Sequence, residues 1–141
     1  MVKREKLRVY CVQTDITWED RSANFERINK LVEIENPLPG SLLVLPELFA
    51  VGFSMDVATI SDSAALETLQ FLTAIAKKYA VFIYGGFVTI DDAGKGRNEA
   101  AIVSPAGEVI ARYHKLQPFS GGEQLHYTAG MDVQLGELEE F

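Results

Sequence analysis

A chain of 141 residues, 48% hydrophobic and 23% charged, has the length and composition of one ordinary soluble domain, which excludes disorder as a description of the whole. Thirteen basic against 20 acidic residues leave a formal charge of −7, and the only basic run is Lys3-Arg4-Glu5-Lys6, so nucleic acid and anionic membrane surfaces are disfavoured as partners. The single cysteine, Cys11, excludes an internal disulfide. The charged start (Lys3, Arg4, Glu5, Lys6, Arg8) does not fit a signal peptide, and no apolar run reaches the ~18–20 residues of a membrane span, so one cytoplasmic domain over 1–141 is expected.

In chain order, Leu7 to Gln13 is short, β-branched and aromatic and reads as a strand. Thr17 with Asp20 three residues on resembles a capping box. Behind it Phe25, Ile28, Leu31 and Val32 share one face at helical spacing until Asn36-Pro37-Leu38-Pro39-Gly40 ends the helix. Leu42 to Leu45 is apolar at every position, as a strand covered on both faces requires. A second helix is expected from Ser63 to Tyr79, with Leu66, Leu69, Leu72, Ala76 and Tyr79 inward. Val81 to Tyr84 is a buried strand ending at Gly85-Gly86.

Three short strands follow, Phe87 to Ile90, Asn98 to Ser104 and Glu108 to Lys115. Turns at Asp91 to Gly96 and at Pro105-Ala106-Gly107 separate them. Val133-Gln134-Leu135 begins another strand-like alternation. The order βαβαβ followed by a meander implies an α/β fold whose connections turn antiparallel late. Gly136 to Phe141 then breaks off in an acidic stretch, and the chain reads as truncated.

Glu47 directly follows the apolar run, between Pro46 and Leu48-Phe49. A carboxylate at the end of a buried strand sits where α/β sheets place ligands, and desolvation there suits a general base. A capping or surface glutamate fits the same position. Lys115 closes the row Val109, Ala111, Tyr113, Lys115, read as inward-facing, although a strand-end lysine reaching for water is the commoner case. His114 and His126 lack the spacing of a metal site, so no metal is expected. Gly85-Gly86 and Gly121-Gly122 match no phosphate loop, and Cys11 in the first strand reads as a buried, inert thiol.

Four pieces occur in order: Leu45-Pro46-Glu47-Leu48-Phe49, Arg97-Asn98-Glu99-Ala100-Ala101, Pro105-Ala106-Gly107-Glu108 and Tyr113-His114-Lys115-Leu116. Together they resemble the nitrilase superfamily of carbon–nitrogen hydrolases over essentially the whole chain from Leu7. The stretch Gly122 to Gly130 is most similar to the omega-amidase branches. The resemblance implies part of an α-β-β-α sandwich with mixed β-sheets, no cofactor, a small-molecule amide substrate and a homo-oligomer.

It also implies roles. Glu47 matches the family's general base, Lys115 the lysine that stabilises the tetrahedral intermediate, and Glu123 a second glutamate that positions substrate and supports the base. The three are expected to converge at one pocket, with Phe53 and Tyr113 near it. The family's nucleophilic cysteine lies in a Cys-Tyr-Asp type of motif after the next strand. The sequence ends before it, and Cys11 cannot replace it, so the chain alone is expected to be silent. Two other readings stand beside this one. A non-catalytic binding or assembly protein could keep the fold. A doubly wound nucleotide binder is opposed by the missing glycine fingerprint.

Overall fold

Two kinds of connection build the sheet. Helical crossovers join β1 (Val9–Cys11), β2 (Leu42–Val44) and β3 (Phe82–Ile90), which therefore run parallel, whereas tight turns join β3, β4 (Gly96–Val103) and β5 (Val109–His114), which run antiparallel. The result is one five-stranded mixed sheet in chain order β1-β2-β3-β4-β5. α1 (Arg21–Glu35) crosses from β1 to β2, and α2 (Val57–Ile60) and α3 (Glu67–Tyr79) cross from β2 to β3. α4 (Glu123–His126) follows β5. The computed structural model describes residues 6–138. The expected mixed-sheet α/β class is the one observed.

Strand register sorts the sheet into two unlike faces. Tyr10, Leu43, Ile83 and Val103 lie on one face, and α1 and α3 cover it. The two helices meet through Phe25 stacked on Phe71 at 4.0 Å between ring centroids, and Ile28, Val32, Leu72, Ile75 and Ala76 are buried beneath them. Leu42, Val44, Tyr84, Ile102 and Ala111 lie on the opposite face and remain half-buried. The two-sided cover expected of Leu42 to Leu45 is thus found only at Leu43 and Leu45. The row ending at Lys115 is likewise not inward. Ala111 and Tyr113 are half-buried and Val109 is exposed, because β5 is an edge strand.

Local chemistry moved several boundaries. α1 is capped by Asp20, whose carboxylate accepts from Ala23 N, and not by Thr17. Thr17 instead exchanges hydrogen bonds with the buried Asn24, whose Nδ2 also donates to Ala50 O. Asn24, Phe25, Ile28 and Val32 form the inward stripe, which leaves Leu31 at its margin and exposed. α3 begins at Glu67 because Leu66 is left-handed (φ 54°) and Asp62 and Ser63 form the turn before it.

β3 runs unbroken through Gly85-Gly86, so the strand does not end there and Phe87 to Ile90 is its second half. No strand forms at 133–135, and both apolar side chains there are exposed. Cys11 is exposed, since its edge strand is paired on one side only.

Candidate active site

Glu47 stands where β2 ends. The last ladder bond is Leu45 N to Tyr84 O, and from Leu48 to Val51 every residue is buried. The chain therefore dives into the core directly after Glu47, through a left-handed Leu48 (φ 48°) whose carbonyl accepts from Val51 N and Gly52 N. A non-glycine residue in that conformation persists only where its surroundings hold it, as full burial of Leu48 does.

The double glycine of β3 admits this approach. A Cβ on Gly86 would lie 3.0 Å from Leu48 N and 3.5 Å from Glu47 Cα, so the bare backbone lets the turn lie on the sheet. On the other face a Cβ on Gly85 would meet the Leu72 side chain at 2.8 Å. The expected desolvation of Glu47 is not observed, because its side chain retains 50% of its surface.

Lys115 follows β5 directly. Its N–H donates to Asn98 O at 2.9 Å and its carbonyl accepts from Gly130 N at 2.8 Å, so its peptide is held on both sides. Its Nζ lies 2.9 Å from Glu47 Oε1, 3.0 Å from Glu123 Oε2 and 5.0 Å from the centre of the Phe53 ring. Burial opposes the ammonium, but hydrogen bonds and charge from Glu47 and Glu123 outweigh it, and the Lys115 pKa is raised. Lys115 is accordingly a fixed positive charge and not a base.

Glu123 opens α4, after a Gly122 at φ 139°, and its carboxylate is fully buried. Burial would raise its pKa. Hydrogen bonds from Asn98, from Phe119 N and from Lys115 prevail, and the carboxyl is held below its ordinary value.

The three residues singled out in the sequence thus meet in one cluster, at the β2 end of the less covered face. Asn98 joins them, with Nδ2 2.7 Å from Glu47 Oε1 and 3.0 Å from Glu123 Oε1. Its role was missed from sequence, where it was only one letter of a motif. A polar residue in line with Gly96, Ala100 and Ile102 was the available signal, because a buried amide must find partners.

Glu47, Tyr84, Gly86, Asn98, Tyr113 and Lys115 line a cleft of about 310 Å³. A larger hollow of about 470 Å³, lined by Pro39, Phe82, Ile110 and the acids Glu108 and Glu137, has no cation among its lining residues, so size does not locate the chemistry. Tyr113 Oη accepts from Leu116 N. The Tyr84 phenol is pushed up by burial and by Glu47 and Tyr113, and stays a donor.

Cys11 lines a different hollow with Val12, Leu31 and Pro37. His114 Nε2 pairs with Thr128 O at 2.7 Å, a structural role, and His126 is exposed. Among the described residues no group of three His, Cys, Asp or Glu side chains could hold a metal ion, and no helix is long and apolar enough to cross a membrane. What the cluster can do is move a proton at Glu47 beside a held ammonium.

Comparison with known proteins gives the chain a family and a fold. The family model described as carbon-nitrogen hydrolase matches residues 8–137. The omega-amidase YafV of Escherichia coli is 30% identical over 125 residues, covering 88% of this chain and 47% of its own length. The deaminated glutathione amidase of a Synechocystis strain is 31% identical over 100 residues, covering 68% of this chain and 37% of its own. The chain therefore spans half or less of the length of these relatives. Among solved structures, XC1258 from Xanthomonas campestris, a CN-hydrolase superfamily protein with an arsenic adduct in its active site, superposes with a TM-score of 0.83. It is 28% identical, with 95% of this chain and 50% of that one covered. The Nesterenkonia sp. AN1 amidase (TM-score 0.77, 20% identical, 90% and 51% covered) shares the fold.

Proposed function

The chain belongs to the carbon–nitrogen hydrolase family, and from that membership we propose that Glu47, Lys115 and Glu123 form the acid–base and oxyanion part of an amidase site acting on a small-molecule amide. The observation that carries the reading is Lys115 Nζ held between the two carboxylates, 2.9 Å from one and 3.0 Å from the other. The names of the relatives supply the substrate class, a small amide of the omega-amidase type.

In the proposed reaction Glu47 takes the proton of an attacking thiol. The sulfur bonds to the amide carbon, and the carbonyl oxygen becomes an oxyanion that the Lys115 ammonium stabilises in place. Glu47 returns the proton to nitrogen as the C–N bond breaks, and ammonia leaves. Water, deprotonated by the same carboxylate, then releases the acid from the thioester. Glu123, buried and ionised, keeps Lys115 charged and aimed. Cys11 is not that thiol, because it lines a separate hollow.

The test has two arms. The 141-residue chain alone should release no ammonia from short amides above background, and Cys11→Ala should change nothing. The same amides should shift the NMR signals of Glu47, Asn98 and Lys115. In a form of the protein that supplies the thiol, Glu47→Gln should lower turnover by ~10²–10⁴-fold, the usual worth of a general base. Turnover abolished by Cys11→Ala, or amide-induced shifts confined to another face, would refute the reading.

A further inference from the structure

We propose that Asn98 is a positioning residue that decides which oxygen of Glu47 handles the proton. The purpose rests on the amidase reading, and the physical hold rests on geometry alone. A primary amide nitrogen carries two N–H groups, and Asn98 Nδ2 lies within hydrogen-bond distance of exactly one oxygen on each carboxylate, Oε1 of Glu47 at 2.7 Å and Oε1 of Glu123 at 3.0 Å. Turning the amide over would aim its oxygen at two carboxylates, so its orientation is dictated by charge. Asn98 is 5% exposed, and water cannot readily substitute for it.

Lys115 Nζ donates to the same oxygen of Glu47, Oε1. That oxygen thus accepts two hydrogen bonds, while among the described residues Oε2 accepts none. Two donors on Oε1 hold the carboxylate plane and occupy that oxygen, which leaves Oε2 with free lone pairs for an arriving proton. The main chain of Asn98 adds to this, because its carbonyl accepts from Lys115 N at 2.9 Å. One residue of β4 therefore touches the base, the cation and the buried carboxylate. The other titratable groups beside the cluster are Tyr84 from β3, Glu99 from β4, whose carboxylate pairs with Arg112, Tyr113 from β5 and the buried Tyr127 after α4.

A residue that merely filled space would be replaceable by one of its own shape. Asn98→Asp keeps the shape, removes both donated hydrogen bonds and sets a third carboxylate against the other two. The experiment follows the carbon-13 carboxyl signals of Glu47 and Glu123 through a pH titration of the 141-residue chain, parent and variant. Both midpoints should move upward in Asn98→Asp. In the parent chain the two Asn98 side-chain N–H signals should move through the same pH range as the carboxylates they touch. That second readout needs no variant and decides the matter even where Asn98→Asp does not fold. Unchanged carboxylate midpoints in a folded Asn98→Asp chain, or parent amide signals indifferent to pH, would overturn the proposal. No turnover is measured, so this hold can fail with the amidase reading intact, and the amide panel can fail with the hold intact.

Discussion

Glu47 and Glu123 carry one functional group in two surroundings, and the difference assigns their parts. Glu123 has no exposed surface and three donors, whereas Glu47 keeps half of its surface and spends one oxygen on Asn98 and Lys115. A carboxyl held below its ordinary value of 4.5, as Glu123 is, adds stability that is fully present above that value. The contribution is lost as pH falls through the depressed folded value. Glu123→Gln should therefore be less stable than the parent at neutral pH, and the gap should narrow as pH drops below that range. Urea midpoints recorded across pH measure it, and a gap independent of pH would refute it. Gly86 makes a second case at this scale. A Cβ there meets the Leu48 backbone at 3.0 Å, which cannot swing away as a side-chain tip can. Gly86→Ala should cost about 1–3 kcal/mol, as overpacking does, and should loosen Glu47 from Lys115, read by denaturation and by the Lys115 side-chain NMR signals. An unperturbed Lys115 would show that Gly86 makes no room for the site.

Asp62 shows how the elements are held together beneath that site. Its carboxylate, 1% exposed, forms an ion pair with Arg21 Nη2 (3.0 Å) at the start of α1 and accepts from Thr68 N and Oγ1 at the start of α3, and the same Arg21 nitrogen donates to Ile60 O at the end of α2. Burial outweighs these partners and pushes the Asp62 carboxyl up, so the charged form is only partly compensated. Asp62→Ala, which strands the donors of Thr68 and Arg21, should cost about 1–3 kcal/mol. Asp62→Asn, which keeps an acceptor and removes the charge, should cost less. Equal losses in the two unfolding curves would refute this account. None of this staple was legible in the sequence, since its members lie far apart and α2 has only four residues, too few for a period to show. What could be read was local. Helix spacing located α1 and α3, apolar runs located β2 and the first half of β3, and turn residues located the meander. Two of the misreadings share one cause, tertiary approach. Gly85-Gly86 reads as the end of a strand but is the bare middle of one, approached on its two faces by Leu72 and by the Glu47–Leu48 backbone. Asn98 reads as a motif letter until three partners are brought to it.

At the scale of the whole molecule, the sheet carries its two long helices, α1 and α3, on one face only, and that asymmetry predicts association. Leu42, Val44, Tyr84, Ile102 and Ala111 form a half-buried apolar band on the other face, and among the described residues β1 and β5 each pair on one side only. Val9 at one edge is 47% exposed and Val109 at the other 45%. Unpaired edges template pairing, and contiguous apolar bands beyond a few hundred Å² (an order-of-magnitude threshold) mark contact surfaces. The competing outcome is that the stretch after Gly130 seals the face. Part of it does approach: a Cβ on Gly136 would lie 3.1 Å from Ala111 Cβ and 3.3 Å from Ile110 Cγ2. Its apolar neighbours do not contribute, since Val133 is 71% and Leu135 91% exposed, so this glycine backs onto β5 and Ile102 (3.6 Å to Cδ1) while Leu42, Val44 and Tyr84 gain no cover from those side chains. A second copy of the chain, offering the same band, is the occupant expected. Sedimentation at micromolar concentration should give species heavier than the 15.6 kDa chain. Leu42→Lys, which sets a charge in the band on β2, should return them toward that mass without disturbing Glu47 or Lys115. A monodisperse 15.6 kDa parent with a sharp unfolding transition would show instead that the half-buried face is stable against water as it stands.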